Sequence, residues 1–166
     1  MYKLMLLLLS LAQAPELGLG WMQEFDLATR QIMALAEATP EEKFSWRPGP
    51  GVRSVSEVYM HIALGNFGLL RVAGATLKTD ISMLSNESEK NINKKAEVTS
   101  WLEKAAVEVR LQYSSMDRAK RVKFLGKDTT VDNVFLRILV HNHEHMGQSI
   151  AYARTIGVKP PWSGKD

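Results

Sequence analysis

Four histidines occur in this chain, His61, His141, His143 and His145. Three of them have the spacing to share one cation. His141 and His145 lie in the run His141-Asn142-His143-Glu144-His145-Met146-Gly147-Gln148. On an α-helix, positions i and i+4 sit one above the other on the same face. Two imidazoles so placed can grip one ion, and His61, from a separate helical segment, can close the site. Three protein ligands with a fourth position open is the arrangement of a catalytic zinc-type centre rather than a structural one. The chain has no cysteine. That excludes thiolate nucleophiles, thiolate ligands and disulfides, so a metal here must use imidazole, carboxylate or water.

The apolar pattern around the pair strengthens this reading. The stripe of the last helical segment runs through Val131, Val134, Ile138, His141, His145 and Tyr152. Both histidines therefore take core-facing positions where leucine is the default. Burying one polar group without a partner costs roughly 1–3 kcal/mol, and a shared metal removes that cost. His61 lies three residues after Val58, and Gly65 and Gly68 follow on about the same side. Small residues there leave room for a ligand or for close helix approach. His143 points to the opposite face and is left out. Gln148 returns to the metal face and can hold a bound water or substrate. Asn66 is a second candidate for that work, and Glu144, one residue off the stripe, could orient an imidazole. Asn142 stands where a zinc protease of the H-E-x-x-H type needs glutamate, so that chemistry is not indicated. No Glu-x-x-His pair occurs in the helical segments, which argues against a di-iron centre.

Four helices must position these residues. The first is expected over Gly20–Ala38, where Trp21, Phe25, Ala28, Ile32 and Leu35 recur at helical steps before Thr39-Pro40. A turn-rich stretch, Trp46 to Gly51, cannot be helical. Ser54 then reads as an N-cap with Glu57 completing a capping box, and the second helix continues to Val72. Gly74 to Lys95 is polar and reads as a long crossover, with room for a short helix; its Asn86-Glu87-Ser88 fits a glycosylation sequon by pattern only. The third helix spans Lys95 to Met116. Arg118 to Lys127 is a basic connection with space for a short extended piece. Thr129 or Thr130 caps the fourth helix, which runs to Thr155 and closes at Gly157 before Pro160-Pro161. No strand pattern stands out. The expected fold is all-α, a four-helix bundle with a long connection between its second and third helices.

At 166 residues the chain is long enough to bury one core. Its 45% apolar and 23% charged residues are ordinary for a globular domain. The net charge of +3 is scattered, with no basic stripe interleaved with aromatics, so nucleic-acid binding is not expected. Lys3 followed by Leu4 to Leu11, then the small residues Ser10 and Ala12, has the order of a secretory signal. Residues 1–12 are read as that signal, with cleavage after Ala12 and an exported product. The apolar stretch is too short for a stable membrane anchor.

Together these residues resemble the DinB-like (DinB/YfiT) superfamily of metal-binding four-helix bundles, over residues 20–163. Four stretches carry the likeness: Trp46-Arg47-Pro48 with Pro50 to Val55; His61-Ile62-Ala63 with Asn66; His141 to His145 with Gly147-Gln148; and Tyr152-Ala153-Arg154 with Gly157 and Pro160-Pro161. The resemblance implies His61, His141 and His145 as ligands of one zinc or nickel ion. It also implies an up-up-down-down bundle, a homodimer, and in some relatives a thiol-dependent transferase or isomerase activity on a small molecule. Met146 departs from the arginine or tyrosine that relatives often carry after the last histidine. Two functions follow as expectations: a metal-dependent transferase or hydrolase, or a metal-binding bundle without turnover, such as a sensor, carrier or stress-related module.

Overall fold

In the computed structural model, residues 18–164 are described; the signal read at residues 1–12 lies outside them. Helix α1 spans Trp21–Ala38 and buries Phe25, Ala28, Ile32, Leu35 and Ala36. The Thr39 hydroxyl donates to the Leu35 carbonyl at 2.8 Å, and Pro40 cannot extend the helix. After a single 3₁₀ turn at Glu41–Lys43, α2 spans Val55–Val72. Its first turn carries the expected capping box. Ser54 N–H donates to Glu57 at 2.8 Å, and Glu57 N–H donates to Ser54 Oγ at 3.3 Å. The chain then forms a one-turn helix, α3 (Ser88–Asn91), before α4 (Lys95–Ser115) and α5 (Val131–Thr155). Thr130 caps α5 through the Asn133 N–H.

The helix directions follow from which ends meet. Trp21, at the start of α1, donates its indole N–H to the Phe135 carbonyl near the start of α5 and stacks on Tyr113 near the end of α4. Lys95, at the start of α4, reaches the carbonyls of Glu37 and Thr39 at the end of α1. Helix α1 is thus parallel to α5 and antiparallel to α4. Leu70 and Ala73, at the end of α2, pack with Val109 of α4 and with Val131 and Val134 at the start of α5. Val55 and Val58, at its beginning, pack with Val98 and Trp101 of α4 and Tyr152 of α5. Helix α2 is therefore parallel to α4 and antiparallel to α5. The four long helices form the expected bundle. Their order is up-down-down-up, not the up-up-down-down order the resemblance implied. The long crossover is where it was expected, because two consecutive parallel helices cannot be joined by a tight turn.

Residues 73–94 make that return. They are fastened to α4 by Glu108, which is 1% exposed. Its carboxylate accepts from Lys78 N–H (3.0 Å), Thr79 N–H (2.8 Å), Thr79 Oγ1 (2.7 Å) and Gln112 Nε2 (2.8 Å). Burial pushes this carboxyl up, but the four donors outweigh it and hold its pKa below the ordinary range.

A small antiparallel hairpin joins α4 to α5, where the sequence allowed only a short extended piece: β1 (Arg121–Phe124) pairs with β2 (Lys127–Thr130), with Arg121 opposite Thr130. Its first strand falls inside the basic connection. There Val122 and Phe124 alternate with Arg121 and Lys123 in a period-2 pattern too short to stand out. Leu125 and Gly126 form the turn with φ of 50° and 78°, the left-handed pair of a two-residue hairpin loop. Among the described residues no helix is long and apolar enough to cross a membrane.

Candidate metal centre

The antiparallel seam between α2 and α5 brings His61, His141 and His145 together. One ligand atom from each lies within 4.8 Å of the others. The ring centroids are 4.6–5.0 Å apart, and the His61 and His141 Nε2 atoms are separated by 3.2 Å. Two nitrogens bound tetrahedrally to one ion, at bonds of about 2.0–2.1 Å, would lie roughly 3.3 Å apart. The His61–His141 spacing fits that requirement and His145 lies within 4.8 Å of both, so the cluster could hold a metal ion.

Neighbouring groups set the tautomers. His61 Nδ1 is 2.8 Å from Glu89 Oε2, and His145 Nδ1 is 2.8 Å from Gln148 Oε1. A carboxylate and an amide oxygen only accept, so both Nδ1 atoms carry the proton and both Nε2 atoms keep a lone pair. Gln148 is itself held by Tyr152, whose hydroxyl accepts from Gln148 Nε2 at 3.0 Å. Glu89 is held by Arg53, whose Nε donates to it at 2.5 Å. Outer partners of this kind fix the ring plane of a metal-ligating histidine and raise its basicity.

Electrostatics keep the cluster ready for a cation. His141 is buried, and burial lowers its pKa to about 4, with electrostatic coupling to His145, His61 and Arg137 adding to the shift. Burial also lowers His61, against the opposing pull of the Glu89 hydrogen bond. A neutral imidazole presents the lone pair a metal needs. Burial raises the Glu89 carboxyl, but Arg53 and His61 outweigh it and hold its pKa below the usual range.

Close approach of α2 to α5 makes this possible. A Cβ built at Gly65 would collide with Cε1 of His141 and come within 3.0 Å of its Nε2. Only glycine leaves the ring its place.

The remaining sequence candidates distribute as follows. Gln148 touches the site through His145. Glu144 pairs instead with Arg137 at 2.5 Å and reaches His141 only through its charge. Asn66 is buried, with Oδ1 lacking a hydrogen-bond partner among the described residues. His143 stays outside the cluster and donates Nδ1–H to the Leu139 carbonyl at 3.0 Å. Met146 packs against the core. Glu89 is the residue that sequence reasoning missed. It lies 28 positions from His61, in the one-turn helix α3 of the polar crossover, and no helical spacing links them.

The model of the DinB family matches residues 17–164. No curated protein matches the sequence. Two solved structures share the fold. One is a DinB-like protein from Bacillus cereus, 16% identical, with a TM-score of 0.74, covering 87% of this chain and 95% of its own. The other is the DinB-like protein YjoA from Bacillus subtilis, 16% identical, with a TM-score of 0.64, covering 88% of this chain and 99% of its own. At that identity the two structures speak to the fold, while the family match spans all the described residues and includes the three histidines. This chain belongs to the DinB family.

Proposed function

We propose that His61, His141 and His145 bind one divalent metal, zinc or nickel, and that the protein is a metal-dependent transferase or hydrolase. The observation that carries this reading is the convergence of three imidazoles with two of their outer nitrogens already engaged by Glu89 and Gln148. Imidazole ligation suits both metals. A metal bound there would supply a Lewis acid that makes a bound water or thiol nucleophilic near neutral pH. The chain's own residues do the rest. Glu89 and Gln148 orient the ligand rings, Arg53 keeps Glu89 ionised, and the buried wall of α5 limits water around His141.

A second reading, metal binding without turnover, draws on one observation. The carboxylate nearest the cluster, Glu89, is already engaged by both Arg53 and His61, so it is poorly placed to act as a general base. Elemental analysis of untagged protein, followed by screening with ester and thiol substrates, separates the two. Turnover that disappears on chelation and returns with metal supports the enzyme. Stoichiometric metal without turnover supports the binding module. Lack of metal in the wild type, with unchanged melting in His141→Ala and His145→Ala, removes both.

A further inference from the structure

A cavity of about 380 Å³ opens beside the metal centre, between α2 and the crossover. Its α2 wall is formed by His61, Leu64, Gly65, Gly68 and Arg71, residues of one helical face. At 1.5 Å per residue, that face runs about 15 Å from the ligand histidine to the arginine. Ile81 and Leu84 of the crossover supply the opposing apolar wall, Ser85 and Asn86 add polar groups, and the Glu89 carboxylate lines the His61 end. The two glycines have different jobs. Gly65 makes way for the His141 ring, whereas a Cβ at Gly68 would meet nothing within 4 Å. The space over Gly68 is therefore groove, not helix packing. Arg71 is exposed and, among the described residues, has neither an ion pair nor a side-chain hydrogen bond.

We infer that this groove is the substrate subsite of the metal centre, and that it takes an elongated organic carboxylate. A metal-seeking group at one end lies at the histidines, an apolar body crosses Gly68 between Leu64 and Leu84, and the carboxylate meets Arg71. The inference rests on the metal reading above. It follows from three features in line: a cation site at one end, an apolar channel with a glycine floor, and an unpaired guanidinium at the other end. A guanidinium binds carboxylate through two parallel N–H donors, which a neutral amide cannot match.

The test uses the full chain reconstituted with zinc, and a chain-length series of straight dicarboxylic acids carrying a hydroxamate at one end. Zinc content is measured first, and affinity is then followed by calorimetry. Affinity should peak at an intermediate chain length. At that length, Arg71→Gln and replacement of the free carboxylate by an amide should each weaken binding at least tenfold, and together no further. Gly68→Trp should abolish the chain-length preference while zinc content and melting are retained. Should that variant not fold, the Arg71→Gln comparison decides alone. Equal affinity across chain lengths, unaffected by Arg71→Gln, overturns the groove and leaves the metal site standing. A wild-type protein that takes up no zinc overturns the metal reading and the groove with it.

Discussion

Gly65→Ala against Gly68→Ala is the sharpest test of the histidine geometry. Both glycines lie within α2, three residues apart, with no left-handed backbone to protect them. Replacing glycine by alanine in a helix interior ordinarily stabilises by roughly 0.5–1 kcal/mol. At Gly68 nothing stands within 4 Å of the new methyl, so the full gain should appear. For a domain of this size it should raise Tm by about 1–4 °C. At Gly65 the new methyl collides with the His141 ring and lies 3.0 Å from Nε2 and 3.1 Å from Nδ1. Those atoms belong to a buried ring, not to the free end of a flexible chain. Overpacking of this kind costs about 1–3 kcal/mol, which cancels or exceeds the propensity gain. The ring must turn or move, and Nε2 leaves its 3.2 Å approach to His61. Gly65→Ala should therefore leave Tm unchanged or up to several degrees lower, and should weaken metal binding at least tenfold. Thermal melting and competition against a chelating dye read the two effects separately. If Gly65→Ala gains as much stability as Gly68→Ala and keeps wild-type metal affinity, the close approach of α2 to His141 is not what builds the site.

Other outcomes follow from the same contacts. Glu89→Ala should lower metal affinity by about 10–100-fold, the usual effect of losing a ligand's outer partner, whereas His143→Ala should leave stoichiometry and affinity unchanged; dialysis against buffered zinc measures both. Glu108 has a folded pKa below its unfolded value of about 4.3, so its stabilisation is fully present above that pH and fades as pH falls through the folded pKa. The Tm deficit of Glu108→Gln should accordingly be largest near neutrality and shrink on acidification toward pH 3; a deficit independent of pH would show that the buried charge is not the stabilising element. Leu125 is 86% exposed and sits at φ 50°. Left-handed backbone costs an ordinary residue roughly 1–2 kcal/mol, and asparagine suits the first turn position, so Leu125→Asn should raise the denaturant midpoint without changing the slope.

Much of this molecule was legible because the information is local. The Ser54–Glu57 capping box, the Thr39-Pro40 stop and the Thr130 cap are each written within four residues, and each stands where expected. The pairing of His141 with His145 needs only helical periodicity. What escaped is non-local or too short. The hairpin strands hold four residues each, fewer than a period-2 pattern needs to rise above a basic linker. Glu144, adjacent in sequence, is a candidate to orient an imidazole, with a solvated carboxylate as the alternative; its side chain pairs with Arg137. The orienting carboxylate present, Glu89, arrives through the crossover, and its position depends on the path of the whole loop.

That path also explains why the bundle tolerates an inconvenient order. A simple up-down-up-down bundle would join α2 to α4 by a short turn. Here the chain must return along α2 before α4 can begin beside it in the same direction. The 18 residues of α2 span about 27 Å. The closure entropy of so long a loop grows only slowly with its length, and the loop is fastened at intervals. Glu108 and Gln112 hold it near residues 76–79, and the Arg53–Glu89 pair holds it at α3. Those fastenings place a carboxylate on the outer nitrogen of His61 and an apolar wall opposite Gly65 and Gly68. A short turn would supply neither. The reversed second half of the bundle is thus the feature that gives three histidines on two helices an oriented His61 ring and a groove beside them.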